Sequence, residues 1–228
     1  MTKGIFVTAT GTDVGKTFIS ALLVKKVRES GINCGYYKPA LSGAEVINGE
    51  LIPGDCAYVV QKAGLRGKPE DYASYIFKTA VSPHLAAEIE GVSISKEKIK
   101  TDFEKKKEEF DYIVVEGAGG IICPFNLKEE RIILPDIIKM LKMDVIVVAS
   151  AELGSINSTV LTTEYLKQSG INIRGIIVNR CKEDDFMQED NLKQIENLTG
   201  IKVISVVKED EEDLNIENSK LLSIFKEI

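Results

Sequence analysis

Residues 10–17, Thr-Gly-Thr-Asp-Val-Gly-Lys-Thr, have the residue types and spacing of a phosphate-binding loop. The apolar run 5–7 precedes them, and a helical pattern begins at Phe18. Backbone N–H groups at a helix start, together with the helix dipole, attract phosphate oxygens. In such a loop Lys16 reaches the outer phosphates and the Thr17 hydroxyl binds Mg²⁺. The loop therefore predicts that the chain binds a nucleoside triphosphate.

The match to the usual pattern is imperfect, because position 10 is Thr10 where that pattern has glycine, and a glycine follows at Gly11. The alternative is a chance Gly-Lys-Thr tripeptide in a strand-to-helix turn. The strand before the loop and the helix after it favour the phosphate loop.

Two further strand ends carry charged residues. Lys38 ends the apolar run 34–38, and Pro39 fixes the exit from that strand. If this strand neighbours the first one, Lys38 lies beside the phosphate loop; the alternative is an exposed lysine. Glu116 ends the buried run 112–116 and precedes Gly-Ala-Gly-Gly. A buried carboxylate is costly without a partner, and the predicted partner is Mg²⁺ near Thr17. The alternative is an exposed glutamate in a tight turn.

Other candidates are open to two interpretations. Asp55 heads a helical pattern over 55–62 and is either only its N-cap or a metal ligand. Asn179, at the end of the run 175–179, offers a donor and an acceptor that could read an adenine edge. Residues 153–157 begin a helix whose free N–H groups suit a carboxylate. His84, the only histidine, is expected to be a capping or packing residue, and the acidic run 208–213 a loop after the last strand.

The order of the elements predicts how these residues are held. Strand-like β-branched runs alternate with helical patterns, which is typical of a mostly parallel sheet with helices on both faces. The 228 residues suit a single α/β domain of the P-loop fold over 1–228. The predicted strands are 5–8, 34–38, 112–116, 145–150, 175–179 and 203–207, and the predicted helices are 18–29, 96–109, 155–169 and 191–198.

Composition excludes several classes of function. The net charge of −6, with basic residues interleaved among acidic ones, argues against a nucleic-acid surface. The apolar runs are too short to span a bilayer, and we expect neither a membrane association nor a signal peptide. The four cysteines, at 34, 56, 123 and 181, form no Cys-x-x-Cys pair, so we expect buried thiols in a reducing cytoplasm and no zinc site.

Taken together, these motifs resemble the dethiobiotin synthetase family over essentially the whole chain. The resemblance rests on their order and spacing: 6–8 leading into 11–17, 37–39 with Ser42, Asp55, 82–84, 115–120, 153–157 and Asn179. The chain departs from the family pattern at Ala9, at Asp13 where the family can carry glutamate, and at Arg180.

The resemblance implies ATP-dependent closure of a cyclic urea from 7,8-diaminononanoate and CO₂ in biotin synthesis, with ATP and Mg²⁺ bound. It also implies a homodimer whose substrate site lies at the interface. Lys16 and Lys38 become the catalytic residues, and Thr17, Asp55 and Glu116 the metal ligands. The implied nucleotide site comprises Asp13, Val14, Gly15, Lys16, Thr17, Phe18, Asp55, Glu116, Gly117, Ala118, Gly119, Asn179, Arg180, Val206 and Val207. The implied substrate contacts are Thr12, Ser42, Ser155 and Asn157.

Two other functions fit the same fold. A partitioning-type ATPase, which acts as a dimerisation switch, usually carries a second lysine near the start of its loop, but residues 9–12 are Ala-Thr-Gly-Thr. An amidotransferase of the cobyrinate type would need a further glutaminase domain with cysteine and histidine.

Overall fold

A central parallel sheet organises the molecule. The computed structural model describes residues 1–209 and 211–228; the part of the acidic run at position 210 lies outside the described residues. The strands are β1 (Lys3–Ala9), β2 (Cys34–Ser42), β3 (Glu45–Ile47), β4 (Glu50–Ile52), β5 (Ala73–Phe77), β6 (Tyr112–Glu116), β7 (Pro124–Asn126), β8 (Ile132–Ile133), β9 (Val145–Ser150), β10 (Ile173–Cys181), β11 (Val203–Lys208) and β12 (Lys226–Glu227). The main sheet has the order β11-β10-β9-β1-β6-β2-β5, and β12 pairs antiparallel with the start of β1.

Helices connect these strands. They are α1 (Lys16–Glu29), α2 (Gly54–Ala63), α3 (Pro83–Ile89), α4 (Lys96–Lys107), α5 (Leu134–Met140), α6 (Ser155–Gln168), α7 (Phe186–Thr199) and α8 (Asn218–Ser223), with a 3₁₀ turn at Pro69–Tyr72. Successive residues of β1 enter different cores: Phe6 belongs to one buried apolar cluster, and Ile5 and Val7 to another. Both faces of the sheet are therefore covered, which confirms the predicted α/β class.

The placement of Lys38 needs two corrections. β6 lies between β1 and β2, so the condition that the Lys38 strand neighbours the strand before the phosphate loop is not met. β2 also continues to Ser42, so Lys38 lies within the strand and Pro39 does not mark its exit. Parallel register brings Val7 of β1 opposite Glu116 of β6, and Tyr37 of β2 opposite Val115. The carboxyl ends of all three strands consequently meet at one edge of the sheet, which is where open α/β sheets bind ligands.

Two other expectations change in detail. The acidic run does not follow the last strand, because β12 comes after it. Helix α7 begins at Phe186 rather than at residue 191, since Asp185 caps it by accepting hydrogen bonds from the backbone N–H groups of Met187 and Gln188. The parallel strand β5, at the edge of the sheet, was not predicted. Across residues 1–209 and 211–228, the structure contains no helix with the length and apolarity needed to cross a membrane.

Candidate active site

The phosphate loop ends at Gly15, which caps α1 with a left-handed φ of 95°. A side chain there would be strained, and a Cβ would collide with the amide nitrogen of Asn179. That amide donates to the carbonyl of Val14 at 3.1 Å, so the end of β10 braces the loop. Lys16 folds back and donates to the carbonyl of Gly11 at 3.0 Å. The ammonium therefore lies over the loop, where it can reach the outer phosphates of a bound nucleotide.

Glu116 is the centre of the buried polar network. Its side chain is 0 % exposed. Its Oε1 accepts from the Thr17 hydroxyl at 2.8 Å and from the Lys38 ammonium at 2.5 Å, and its Oε2 accepts from the Tyr36 hydroxyl at 2.7 Å. The prediction that this carboxylate is buried is confirmed, and the alternative of an exposed glutamate is wrong. Its predicted partner, Mg²⁺, stays a prediction.

Lys38 links the two acidic residues that the sequence singled out. Its ammonium is 2.8 Å from Oδ2 of Asp55 as well as 2.5 Å from Glu116. Burial by itself lowers the pKa of Lys38, but Glu116 and Asp55 outweigh it and hold that pKa above its ordinary value. Lys38 therefore keeps its positive charge although its side chain is only 3 % exposed.

Lys16 and Asp55 respond differently to the same surroundings. Burial and the positive charge of Lys38 lower the pKa of Lys16, against the opposing effect of Glu116. For Asp55 burial raises the pKa, but Lys38 and the Thr17 hydroxyl outweigh it and bring the pKa below its usual value. Asp55 lies in the first turn of α2 after the N-cap residue Pro53. The interpretation of Asp55 as only an N-cap is therefore wrong.

The oxygen donors at this point fit Mg²⁺. The Thr17 hydroxyl and the carboxylates of Asp55 and Glu116 converge on one region, and all are hard oxygen ligands. Within residues 1–209 and 211–228 no cluster of three or more histidine, cysteine or acidic residues is built to hold a metal. Magnesium in nucleotide sites commonly binds one or two carboxylates and takes its other ligands from phosphate and water, so two carboxylates suffice.

A cavity of about 720 Å³ opens over the loop and holds most of the predicted site. This volume lies in the range of small-molecule binding sites. The site residues predicted from the sequence that line this cavity are Thr12, Asp13, Gly15, Lys16, Thr17, Phe18, Lys38, Ser42, Asp55, Glu116, Ala118, Gly119, Asn179 and Arg180. Sequence reasoning missed Ala40, Leu41, Tyr58 and Glu209, which also line it, and Tyr36 beneath Glu116. Of these residues, only Glu209 had a sequence signal: it belongs to the acidic run 208–213, which follows a strand at the edge where such sheets bind ligands.

Six predicted residues do not line this cavity. Val14 and Gly117 contribute backbone carbonyls that accept from Asn179 and Lys38, and a Cβ on Gly117 would press on Leu134 and Phe6. Val207 is buried in one apolar cluster, and Val206 packs against the other cluster, across the sheet. Ser155 and Asn157 lie at the start of α6, after β9. The proposed roles of these six residues remain predictions.

Two of the departures from the family pattern interact with each other. The guanidinium of Arg180 donates to the backbone carbonyl of Asp13 at 3.1 Å. Both residues have left-handed backbones, with φ of 58° and 59°. Arg180 therefore joins β10 to the outer side of the phosphate loop, next to the brace that Asn179 provides.

His84 lies in the first turn of α3, outside the cavity over the phosphate loop. Its Nδ1 lies 3.0 Å from the Ser82 hydroxyl, at the start of α3. The four cysteines are buried free thiols, as expected.

Comparison with known proteins identifies the family. Over the full length of both chains, the sequence is 51% identical to the ATP-dependent dethiobiotin synthetase BioD of Clostridium botulinum strain 657 and 49% identical to that of strain Langeland. The AAA domain family matches residues 3–216. The chain belongs to the ATP-dependent dethiobiotin synthetase family.

Solved structures share the fold with this dethiobiotin synthetase family member. A ParA family ATPase from Chlorobium tepidum aligns with a TM-score of 0.60 and 14% identity, over 98% of this chain and 90% of that one. The septum site-determining protein MinD of Pyrococcus horikoshii, solved with Mg-ADP, aligns with a TM-score of 0.54 and 21% identity, over 92% and 82%. At these identities the likeness extends to the P-loop fold alone, and the full-length relatives favour the synthetase over the partitioning-type ATPase.

Proposed function

We propose that residues 1–228 form one synthetase domain that closes a cyclic urea from 7,8-diaminononanoate and CO₂ at the expense of ATP. The observation that carries this proposal is the meeting of Lys38 with Glu116 and Asp55 at the mouth of the phosphate loop. It supplies a second fixed positive charge beside Lys16, in one cavity large enough for a nucleotide.

The chemistry asked of these residues is phosphoryl transfer to a weak nucleophile. One amine of the diamine and CO₂ form a carbamate, whose oxygen attacks the γ-phosphorus while the bond to the β–γ bridging oxygen breaks and ADP leaves. The second amine then attacks the carbamate carbon, loses a proton and expels phosphate. Such a reaction depends on positioning and charge neutralisation more than on a strong base. Among the described residues, the cavity lining includes no histidine.

Each residue of the site has a role in this scheme. Lys16 and the loop N–H groups bind the outer phosphates, and Lys38 neutralises charge that spreads over the transferred oxygens. Thr17, Asp55 and Glu116 would hold Mg²⁺, which when bound neutralises charge on the phosphate oxygens. Asn179, Arg180 and Glu209 line the same cavity, and in this proposal Asn179 reads the adenine edge.

We also propose a homodimer in which α6 of the partner completes the substrate site. Ser155 and Asn157 do not line the cavity of their own chain. The buried Ser155 hydroxyl has no hydrogen-bond partner in the described part of the chain. Leu153, two residues before Ser155, is 89% exposed, and Leu161 within α6 is 62% exposed. A second copy would cover these apolar residues and bring a helix N-terminus towards a substrate carboxylate.

One assay tests the proposed reaction. Phosphate release from ATP is measured with diamine and bicarbonate together, with each alone and with neither, and ¹³C-bicarbonate is followed into the product by mass spectrometry. We expect release to require both and the label to appear in a cyclic urea. Release that proceeds equally without the diamine would contradict the synthetase and favour a nucleotide switch.

A further inference from the structure

We propose that Tyr36 is a positioning residue that fixes the rotation of the Glu116 carboxylate, so that Oε1 faces the metal and phosphate site. This inference rests on the proposed role of Glu116 as a Mg²⁺ ligand. Tyr36 does not line the cavity and would touch neither metal nor nucleotide.

The two oxygens of Glu116 have different surroundings. Oε1 accepts from Thr17 and Lys38, both of which line the cavity. Oε2 accepts only from the Tyr36 hydroxyl among the described residues, at 2.7 Å. A carboxylate without that second anchor can rotate about its last bond, which has a broad torsional minimum. The phenol therefore fixes the plane of the carboxylate, and with it the direction in which the other oxygen faces the metal site.

Burial makes this hydrogen bond specific. Tyr36 is 0 % exposed and belongs to the core between the sheet, α1 and α2. A buried hydroxyl is costly without a partner, and a phenylalanine at the same position would fill nearly the same space. The hydroxyl and the Glu116 carboxylate thus satisfy each other, and packing of the ring holds the hydroxyl in place. Partners of this kind, outside the ligands themselves, typically change metal affinity by about 10–100-fold.

The next residue provides a matched control. Tyr37 is equally buried on the opposite face of the same strand. Its hydroxyl lies 2.5 Å from Ser74 Oγ and donates to the carbonyl of Ile99 at 2.9 Å, away from Glu116. Tyr37→Phe therefore removes the same hydroxyl oxygen, and should lower the free energy of unfolding by a similar amount, without removing a hydrogen bond to Glu116.

The test compares the affinity for a non-hydrolysable ATP analogue, by calorimetry, with Mg²⁺ and with EDTA. The dissociation constant in EDTA divided by that in Mg²⁺ reports how much the metal strengthens binding. A general loss of packing affects both constants and largely cancels from this ratio. We expect Tyr36→Phe to reduce this ratio about tenfold, and Tyr37→Phe to leave it unchanged. Glu116→Gln, which removes the charge, should reduce it at least as much as Tyr36→Phe.

The outcomes separate the two proposals. A normal ratio in Tyr36→Phe together with a reduced ratio in Glu116→Gln would refute the positioning role and leave the metal site intact. Normal ratios in both variants would refute the metal role of Glu116, and the role of Tyr36 with it. An equal reduction in Tyr36→Phe and Tyr37→Phe would mean that the strand as a whole, not the phenol, controls the site. Thermal unfolding of each variant establishes that the chain is folded in every case.

Discussion

The ammonium of Lys38 lies 2.5 Å from Oε1 of Glu116, although 78 residues separate the two along the chain. They come from the adjacent strands β2 and β6, and Thr17 at the start of α1 shares the same carboxylate oxygen. The phosphate loop and Lys38 of β2 are therefore connected through Glu116, because β6 separates β1 from β2. Any change of charge at one of these residues alters the surroundings of the others.

This buried pair predicts a large effect of Lys38 on stability. Lys38→Met leaves Glu116 charged and buried with neutral donors only, so we expect the free energy of unfolding to fall by about 3 kcal/mol. Chemical denaturation measures it. The double variant Lys38→Met/Glu116→Gln also removes the buried charge of Glu116, so part of the lost free energy of unfolding should be recovered.

A surface pair gives the control for that experiment. Lys98 and Asp102 on α4 lie 2.6 Å apart with side chains 47% and 28% exposed. Lys98→Met should change the free energy of unfolding by about 0.5 kcal/mol or less. Similar effects of Lys38→Met and Lys98→Met would mean that the buried pair contributes little.

Glu116→Gln should impair the use of metal more than contact with nucleotide. The amide keeps the shape of the side chain but removes a charge from a site of hard oxygen ligands. The deficit in substrate-dependent phosphate release should therefore shrink as Mg²⁺ is raised at fixed ATP. Glu104→Gln, on the surface of α4, should respond to Mg²⁺ as the unmodified chain does. A deficit in Glu116→Gln that is insensitive to Mg²⁺ would assign Glu116 a structural role only.

Residue types and spacing sufficed to predict the parallel sheet, the phosphate loop and the edge where Lys38 and Glu116 meet. They did not predict that β6 lies between β1 and β2, because strand order depends on long-range packing that local patterns do not encode. Tyr36 was missed for a similar reason: a tyrosine in an apolar run indicates core, and only the register of β2 against β6 brings its hydroxyl to Glu116. The hairpin of β3 and β4 did have a signal, since Asn48-Gly49 with positive φ at both residues is typical of a two-residue turn.

The cysteines should react slowly in the folded protein. Burial raises the pKa of Cys56 to about 12 and those of Cys123 and Cys181 to about 11, and it raises that of Cys34 as well. A raised pKa leaves less thiolate at pH 8, and the thiolate is the reactive form. Alkylation of the native chain should therefore keep accelerating from pH 8 to pH 10. In the unfolded chain the rate should level off above the ordinary thiol pKa of about 8.5.

Mass spectrometry of each cysteine after timed alkylation measures these rates. The same raised pKa values imply that folding stability is intact below about pH 8.5 and declines above it, because only the unfolded thiols ionise there. A native rate that levels off at the same pH as the unfolded rate would contradict the burial of these thiols.

The composite dimer site predicts that two inactive chains complement each other. Lys16 lines the cavity of its own chain, whereas the exposed Asn157 is proposed to act in the partner's site. Lys16→Ala and Asn157→Asp, the latter placing a negative charge against the substrate carboxylate, should each abolish turnover alone. In a mixed dimer both lesions fall in one site and the other site is intact. With equal amounts and random pairing, roughly half the dimers are mixed and each has one good site, so about a quarter of normal activity should return.

The control for complementation mixes two variants, each of which has its lesion in the cavity of the chain that carries it. Lys16 and Lys38 line one cavity in a single chain. Mixed dimers of Lys16→Ala and Lys38→Met therefore carry one lesion in each site, and no activity should return. Subunit exchange is verified by native mass spectrometry of chains with distinguishable tags. If exchange occurs and the Lys16→Ala and Asn157→Asp mixture stays as inactive as this control, each chain builds its substrate site alone. Asn157 would then have to reach the cavity of its own chain by a movement of α6, since it does not line that cavity in this structure.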